Sequence, residues 1–308
     1  MKRLAVMLLV AVALAGCTSF QQQQKEKPDK IEVSQPTCRI DGSSCSSVKA
    51  NRFSGDATVS ITVNNFGEEN VTLHLGEGGN GRNVMVSKCN DEIVRIKDFK
   101  AEKQSSAGLE TMQGPAEIVL EKDSEAELRW TLDVVSSGSV SELGYSCPLD
   151  FELPMTQTIR SGKQVQIKKN DDVPDVGQLD ATTTSRFPVK LKIDAPDSHI
   201  VGQGKLRPKG YLKNVGPGEI TNITALQRED SADNILDEGS CEEGVELKMY
   251  GPGPRQGESY RLPCPVDTTL PEGARSAIEW IRFMATYDYT MPLSSKTIEV
   301  VPVAGGGG

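Results

Sequence analysis

Leu149-Asp150-Phe151-Glu152-Leu153-Pro154 and Tyr287-Asp288-Tyr289-Thr290-Met291-Pro292 are two versions of one segment. Apolar side chains hold the first, third and fifth positions of each, aspartate the second and proline the sixth. A period of two puts alternate side chains on one face of an extended chain, so each copy reads as a strand with one apolar face. A last apolar run follows each copy, Val165 to Ile167 in the first and Ile298 to Val301 in the second, and reads as a further, final strand. Upstream, Val63-Asn64-Asn65-Phe66-Gly67 matches Leu212-Lys213-Asn214-Val215-Gly216 in the order apolar, polar, Asn, apolar, Gly. Asp123-Ser124-Glu125 before one strand parallels Gly257-Glu258-Ser259 before another. Four markers in the same order, roughly 140 residues apart, predict two copies of one fold.

The stretches between the markers alternate as well. Ala57, Val59, Ile61 and Val63 share one parity against Thr58, Ser60, Thr62 and Asn64, and Ala126, Leu128, Trp130 and Leu132 do the same. Tyr145, Cys147, Leu149 and Phe151 form a third set, which places Cys147 on an apolar face. Helical periodicity is hard to find, while Gly76 to Gly81 and Gly251-Pro252-Gly253-Pro254 are strong turn signals. Short alternating strands between frequent turns suit an antiparallel sandwich. The expected fold is therefore all-β, with one sandwich over residues 38–170, a charged linker over 171–181, a second sandwich over 182–303 and a loose glycine tail over 304–308.

The Asn-x-Gly strand end at Asn65 and Asn214, together with the Gly-Glu-Ser strand start at Gly257, resembles the immunoglobulin-like extracellular modules of the cell-adhesion-related family of bacteria and archaea. The first copy departs from that pattern, with Asp123 where the family favours glycine. The resemblance implies two tandem immunoglobulin-like antiparallel β-sandwiches.

Met1-Lys2-Arg3 is a cationic start, and Leu4 to Ala15 is an apolar run shorter than the about 20 residues that span a bilayer, so it reads as a cleaved signal. Leu14-Ala15-Gly16-Cys17 resembles the prokaryotic lipobox, in which the cysteine receives a dialkylglycerol lipid and becomes the mature N-terminus. That resemblance makes residues 1–16 a lipoprotein signal peptide and Cys17 the membrane anchor, since two hydrocarbon chains hold a protein where one is marginal. Residues 17–37 then form a polar, flexible tether, too poor in apolar surface to fold. The expected location is the extracellular face of the cell membrane.

Charge and cysteines narrow the function classes. The 43 Asp plus Glu outweigh 34 Lys plus Arg for a formal charge of -9, and loss of Lys2 and Arg3 with the signal deepens it by two. Such a surface repels phosphate backbones, so no nucleic-acid partner is expected. With Cys17 committed to lipid, Cys38, Cys45, Cys89, Cys147, Cys241 and Cys264 remain, an even set that argues for disulfides in an exported chain. Sequence leaves the connectivity open; pairing Cys38 with Cys45, Cys89 with Cys147 and Cys241 with Cys264 keeps each bond inside one sandwich. Zinc would need closer CxxC spacing or more histidines than His74 and His199.

No nucleophile elbow, phosphate loop or zinc-protease helix is present, and no enzymatic activity is expected. His74, between Leu73 and Leu75, reads as the polar position of a strand, and His199, after Asp197-Ser198, as part of a turn. Asn170, Asp171, Asp172 and Asp175 cluster oxygen donors around a proline, a pattern similar to the calcium-binding linkers of cadherin-type repeats. Calcium is the one cofactor that resemblance suggests, against the simpler reading of a solvated acidic hinge. Asn70-Val71-Thr72 and Asn222-Ile223-Thr224 are glycosylation sequons, expected on exposed loops or strand starts and in keeping with an archaeal surface glycoprotein. The resulting expectation is a non-enzymatic lipoprotein acting as an adhesion, scaffold or interaction module towards a protein or glycan partner. The competing expectations are a solute-binding lipoprotein of a transporter, which needs two α/β lobes, and an accessory of an envelope hydrolase.

Overall fold

Ala57, Val59, Ile61 and Val63 are fully buried, and the threonines and serine between them are half exposed. Ala126, Leu128, Trp130 and Leu132 on a neighbouring strand bury the same way, as do Cys147, Leu149 and Phe151. The period of two in the sequence is thus the period of burial, worth about 1.5–3 kcal/mol for each large apolar side chain taken from water.

The computed structural model describes residues 31–40, 42–46, 48–49, 56–89, 91, 93–134, 144–183, 185–186, 188–194, 199–201, 204–206, 209–227, 236–237, 259–263, 266–268, 270 and 272–301. Within them the chain forms β-strands and no helix, numbered β1 to β23 in chain order. A seven-stranded sheet runs β3 (Ser43–Ser44), β2 (Thr37–Ile40), β5 (Ala57–Asn65), β11 (Ser124–Val134), β8 (Val94–Ser105) and β9 (Gly108–Gln113), with β1 (Ile31–Val33) also paired to β5. A nine-stranded sheet runs β10 (Glu117–Leu120), β6 (Val71–His74), β12 (Tyr145–Lys168), β23 (Ser276–Val301) and β19 (Glu219–Gln227). Joined along its two long members are β4 (Val48–Lys49), β7 (Met85–Ser87), β13 (Ala181–Thr183) and β16 (His199–Val201). A four-stranded sheet orders β14 (Ser185–Arg186), β15 (Val189–Asp194), β18 (Lys209–Asn214) and β21 (Ser259–Pro263). The remaining three strands, β17 (Gly204–Leu206), β22 (Val266–Thr268) and β20 (Leu236–Asp237), form a sheet of their own.

The two copies of the opening motif lie in β12 and β23, which pair antiparallel from Tyr145 opposite Val300 to Lys168 opposite Ser276. Leu153 and Met291, equivalent residues of the two copies, face each other in this ladder. Val165–Ile167 and Ile298–Val301 are not separate final strands: they are the far ends of β12 and β23. The prolines do not stop either strand because each falls where pairing is one-sided. Pro154 lies between the contacts of β12 with β7 and with β6, and Pro292 lies beyond the last β19 pair, where a missing N–H costs least.

The other matched motif is equally concrete. Asn65 accepts a hydrogen bond from Gly67 N at 3.0 Å and donates to Glu69 O at 2.9 Å, and Asn214 accepts from Gly216 N at 3.0 Å and donates to Gly218 O at 2.8 Å. Both amides are fully buried and close the same five-residue turn at the end of a strand. Asn65 donates further to Leu120 O and Glu121 O, which ties that turn to the end of β10. Gly216 has no alternative: a Cβ there would stand 2.3 Å from Pro188 Cβ and 2.5 Å from the Tyr289 hydroxyl. Asp123 adopts a left-handed φ of 55°, the conformation that makes glycine the favoured residue at this strand start.

Replacing Asn65 or Asn214 by alanine removes a buried amide and orphans backbone groups, so each variant is expected to lose about 2–3 kcal/mol of stability in chemical denaturation. Cutting the chain after Val176 leaves the outer half of β12 without its partner. The fragment ending there is expected to aggregate or self-associate when expressed alone and to become soluble and monodisperse when co-expressed with the remainder; a monomeric, cooperatively melting fragment would refute this.

Candidate interaction surface

In the middle of β12 and β23 the even positions 154–160 and 284–290 face away from the buried side chains, and threonines and Asp288 stand at the centre of that outward face. Thr72, Thr156 and Asp288 stand in one row across β6, β12 and β23, with Thr158 and Thr286 in the next. The side chains are linked. The Thr156 hydroxyl donates to Asp288 Oδ1 at 2.6 Å, which leaves His74 Nε2, 2.6 Å away, as donor to the Thr156 oxygen. His74 Nδ1 lies 2.9 Å from Glu117 Oε1, and Thr158 and Thr286 bond each other at 3.0 Å. A nucleophilic threonine would have to point its proton at the imidazole. This one points it at a carboxylate, so the chain fixes rotamers across four strands.

His74 is thus the polar position of a strand, as its flanking leucines imply. His199 is not in a turn: it opens β16, parallel to the end of β12, with Nε2 3.3 Å from Val176 O. Of the expected cysteine pairs, Cys38 and Cys45 stand at a Cα separation of 5.4 Å and Cys89 and Cys147 at 5.5 Å, both joined as disulfides. Cys17, Cys241 and Cys264 lie outside the described residues, as do residues 1–30 and 304–308. Asn70 is exposed just before β6, while Asn222 is exposed inside β19, next to an irregularity in its pairing with β23.

The acidic linker is pinned to the end of β12. Gln166 donates to Pro174 O at 3.1 Å and accepts from Val176 N at 3.0 Å, Gln164 accepts from Asp180 N at 3.0 Å, and Val173 is buried. The Lys168 ammonium reaches Val173 O at 3.1 Å and Asp175 Oδ1 at 2.7 Å, and the bond to it holds the Asp175 carboxyl below its ordinary range. Asn170 turns its amide to Asp172, and no three acidic, histidine or cysteine side chains converge among the described residues.

Elsewhere the charged groups are matched locally. On the outer face of the seven-stranded sheet Arg129 lies between Glu127 and Glu102, Lys100 pairs with Glu102 and Lys97 with Asp56. Exposed pairs of this kind are worth about 0–1 kcal/mol each and describe a solvated face. A half-open cavity of about 150 Å³ lies between Met85, Val94, Ile96 and Leu132 with Arg82 and Asp91 also lining it, below the roughly 300 Å³ at which ligand pockets begin.

No protein-family model matches the chain, and no curated protein sequence is similar to it. The sequence pattern did not single out Thr156, Glu117 or Trp280. The available signal was the run of threonines and Asp288 at even positions, complementary to the apolar set.

Tyr289 supplies a pH test. Its ring is buried, its hydroxyl accepts from Gly218 N at 2.6 Å, and burial pushes the phenol from 10.0 up to about 12. A raised folded-state value favours the neutral phenol, so this contribution to stability is complete below pH 10 and is lost as pH climbs towards about 12. Tyr289→Phe is expected to shrink that alkaline loss and to cost about 1–3 kcal/mol at neutral pH, where Gly218 N–H loses its acceptor; denaturant titrations at several pH values measure both.

Proposed function

We propose that the protein is a non-enzymatic lipoprotein moored by Cys17 to the outer face of the cell membrane, where it serves as a rigid scaffold and interaction module. The observation that carries the reading is the Leu14-Ala15-Gly16-Cys17 stretch, closing an apolar run and opening a polar one. The disulfide pairs, suited to an oxidising environment, support export. The absence of helix among the described residues gives no support to a solute-binding protein, whose lobes would flank parallel strands with helices.

The fold behind this reading is a pair of immunoglobulin-like sandwiches that exchange their last strands. In the first, β2-β5-β11-β8 and β6-β12-β23 follow the ABED and CFG strand orders of that fold. In the second, β15-β18-β21 and β19-β23-β12 follow ABE and CFG. Each sixth strand runs on to become the seventh strand of the other unit, which couples the two units more stiffly than a linker does. A scaffold that holds a partner at a fixed distance from the membrane needs that stiffness.

Mass analysis of the protein isolated from membranes tests the anchor. The expected N-terminus is Cys17 carrying a dialkylglycerol group, and Cys17→Ala is expected to release the protein from the membrane fraction. Recovery of an unlipidated chain in the cytosol with reduced thiols would overturn the proposal.

A further inference from the structure

Two stretches of strand edge in the seven-stranded sheet lack a neighbour among the described residues. β9 pairs with β8 on one side only, and its Leu109 is 68% exposed, more than any other large apolar side chain among those residues. β8 in turn is covered by β9 only from Lys100 to Ser105, with Gly114 N closing on Phe99 O; from Val94 to Asp98 its ladder runs on the β11 side alone. Val94 and Ile96 of that open stretch line the cavity of about 150 Å³, together with Met85, Leu132 and the half-exposed Val86. Arg82 and Asp91, which also line it, pair at 3.9 Å, and both are exposed, so parting them costs little. Unpaired N–H and C=O groups along a sheet edge are completed by another extended backbone, and an apolar side chain left in the open on such an edge marks a place of association.

We propose that β9 of one copy of this chain adds to the Val94–Asp98 edge of the next copy, with Leu109 seated in the cavity beside Ile96 and Met85. A cavity of this size with aliphatic walls admits one benzene-sized apolar group, which is the scale of a single leucine side chain and too small for most ligands. Side chains alternate along a strand, so a β9 seated with Leu109 inward turns Glu110 outward, to the side of Arg95 and Lys97. Those two are paired with Asp133 and Asp56 and still more than half exposed, open to a second carboxylate. The contact joins two different edges and is heterologous: each copy so joined keeps one free edge for a further copy, and the assembly grows as a row. Chains moored to one membrane surface are confined to a plane, which raises their effective concentration for such a contact.

This inference rests on the scaffold reading and names a second copy as the partner. The test is sedimentation velocity of the full chain in detergent over a roughly hundredfold range of concentration. The wild type is expected to grow past the dimer as concentration rises, in steps of one chain. Leu109→Ser and Val86→Asp alter exposed positions, so each is expected to keep the wild-type melting temperature and to weaken association about tenfold, the share of one buried leucine. Mixed together, the two variants are expected to form a dimer and nothing larger, because the intact Leu109 of one meets the intact cavity of the other. A wild type that is monomeric at every concentration, an association that stops at the dimer, or one that Val86→Asp leaves unchanged would each overturn the proposal, the last by placing β9 against β9. If the protein remains lipidated at Cys17 and membrane-bound in those cases, the anchoring reading stands and only the row of copies is lost.

Discussion

The antiparallel ladder between β12 and β23 is the constraint on which the rest of the chain depends. Each strand is buried on one face over most of its length, and each takes further neighbours from different parts of the sequence: β7 on the first half of β12, β6 at its middle, β13 and β16 on its second half, and β19 on the middle of β23. Remove the ladder and the apolar sets around Leu149 and around Tyr287 lose their shared backbone support together. The core is correspondingly continuous, one cluster running from Ile31 to Val300.

Local devices fix the ends of the shorter strands that pack on this spine. Asn65 and Asn214 close their turns in the same way, each trading a buried amide for the backbone groups of a tight turn that would otherwise be unsatisfied. Trp130 stacks on Phe99 at 4.9 Å and donates its indole N–H to Asn80 O, and a Cβ at Gly81 would come 2.5 Å from that nitrogen. The result is a set of corners that close only with the residue types present there.

The alternation of Ala57 to Val63, of Ala126 to Leu132 and of Cys147 to Phe151 was legible because burial on one face forces a period of two. The equivalence of the Asn-x-Gly turns was legible because few residues can cap them. The length of β12 and β23 was not, since the runs Val165–Ile167 and Ile298–Val301 read as separate final strands, and only the location of neighbouring strand ends lets Pro154 and Pro292 sit inside one strand. Nor was the chain from Glu117 through His74 and Thr156 to Asp288: its members are far apart in sequence and become neighbours only through the strand order. The acidic linker read as solvated, yet Gln164, Gln166 and Lys168 draw it onto the sheet, because a strand end with buried amides must find backbone partners.

A ladder in which Leu153 faces its own counterpart, Met291, has a pseudo-twofold axis running between them. That is the symmetry of two subunits clasping each other, here carried by a single polypeptide. Joining them covalently makes the clasp independent of concentration, and it also frees the two halves to diverge, one keeping Leu149 and Phe151 where the other has Tyr287 and Tyr289.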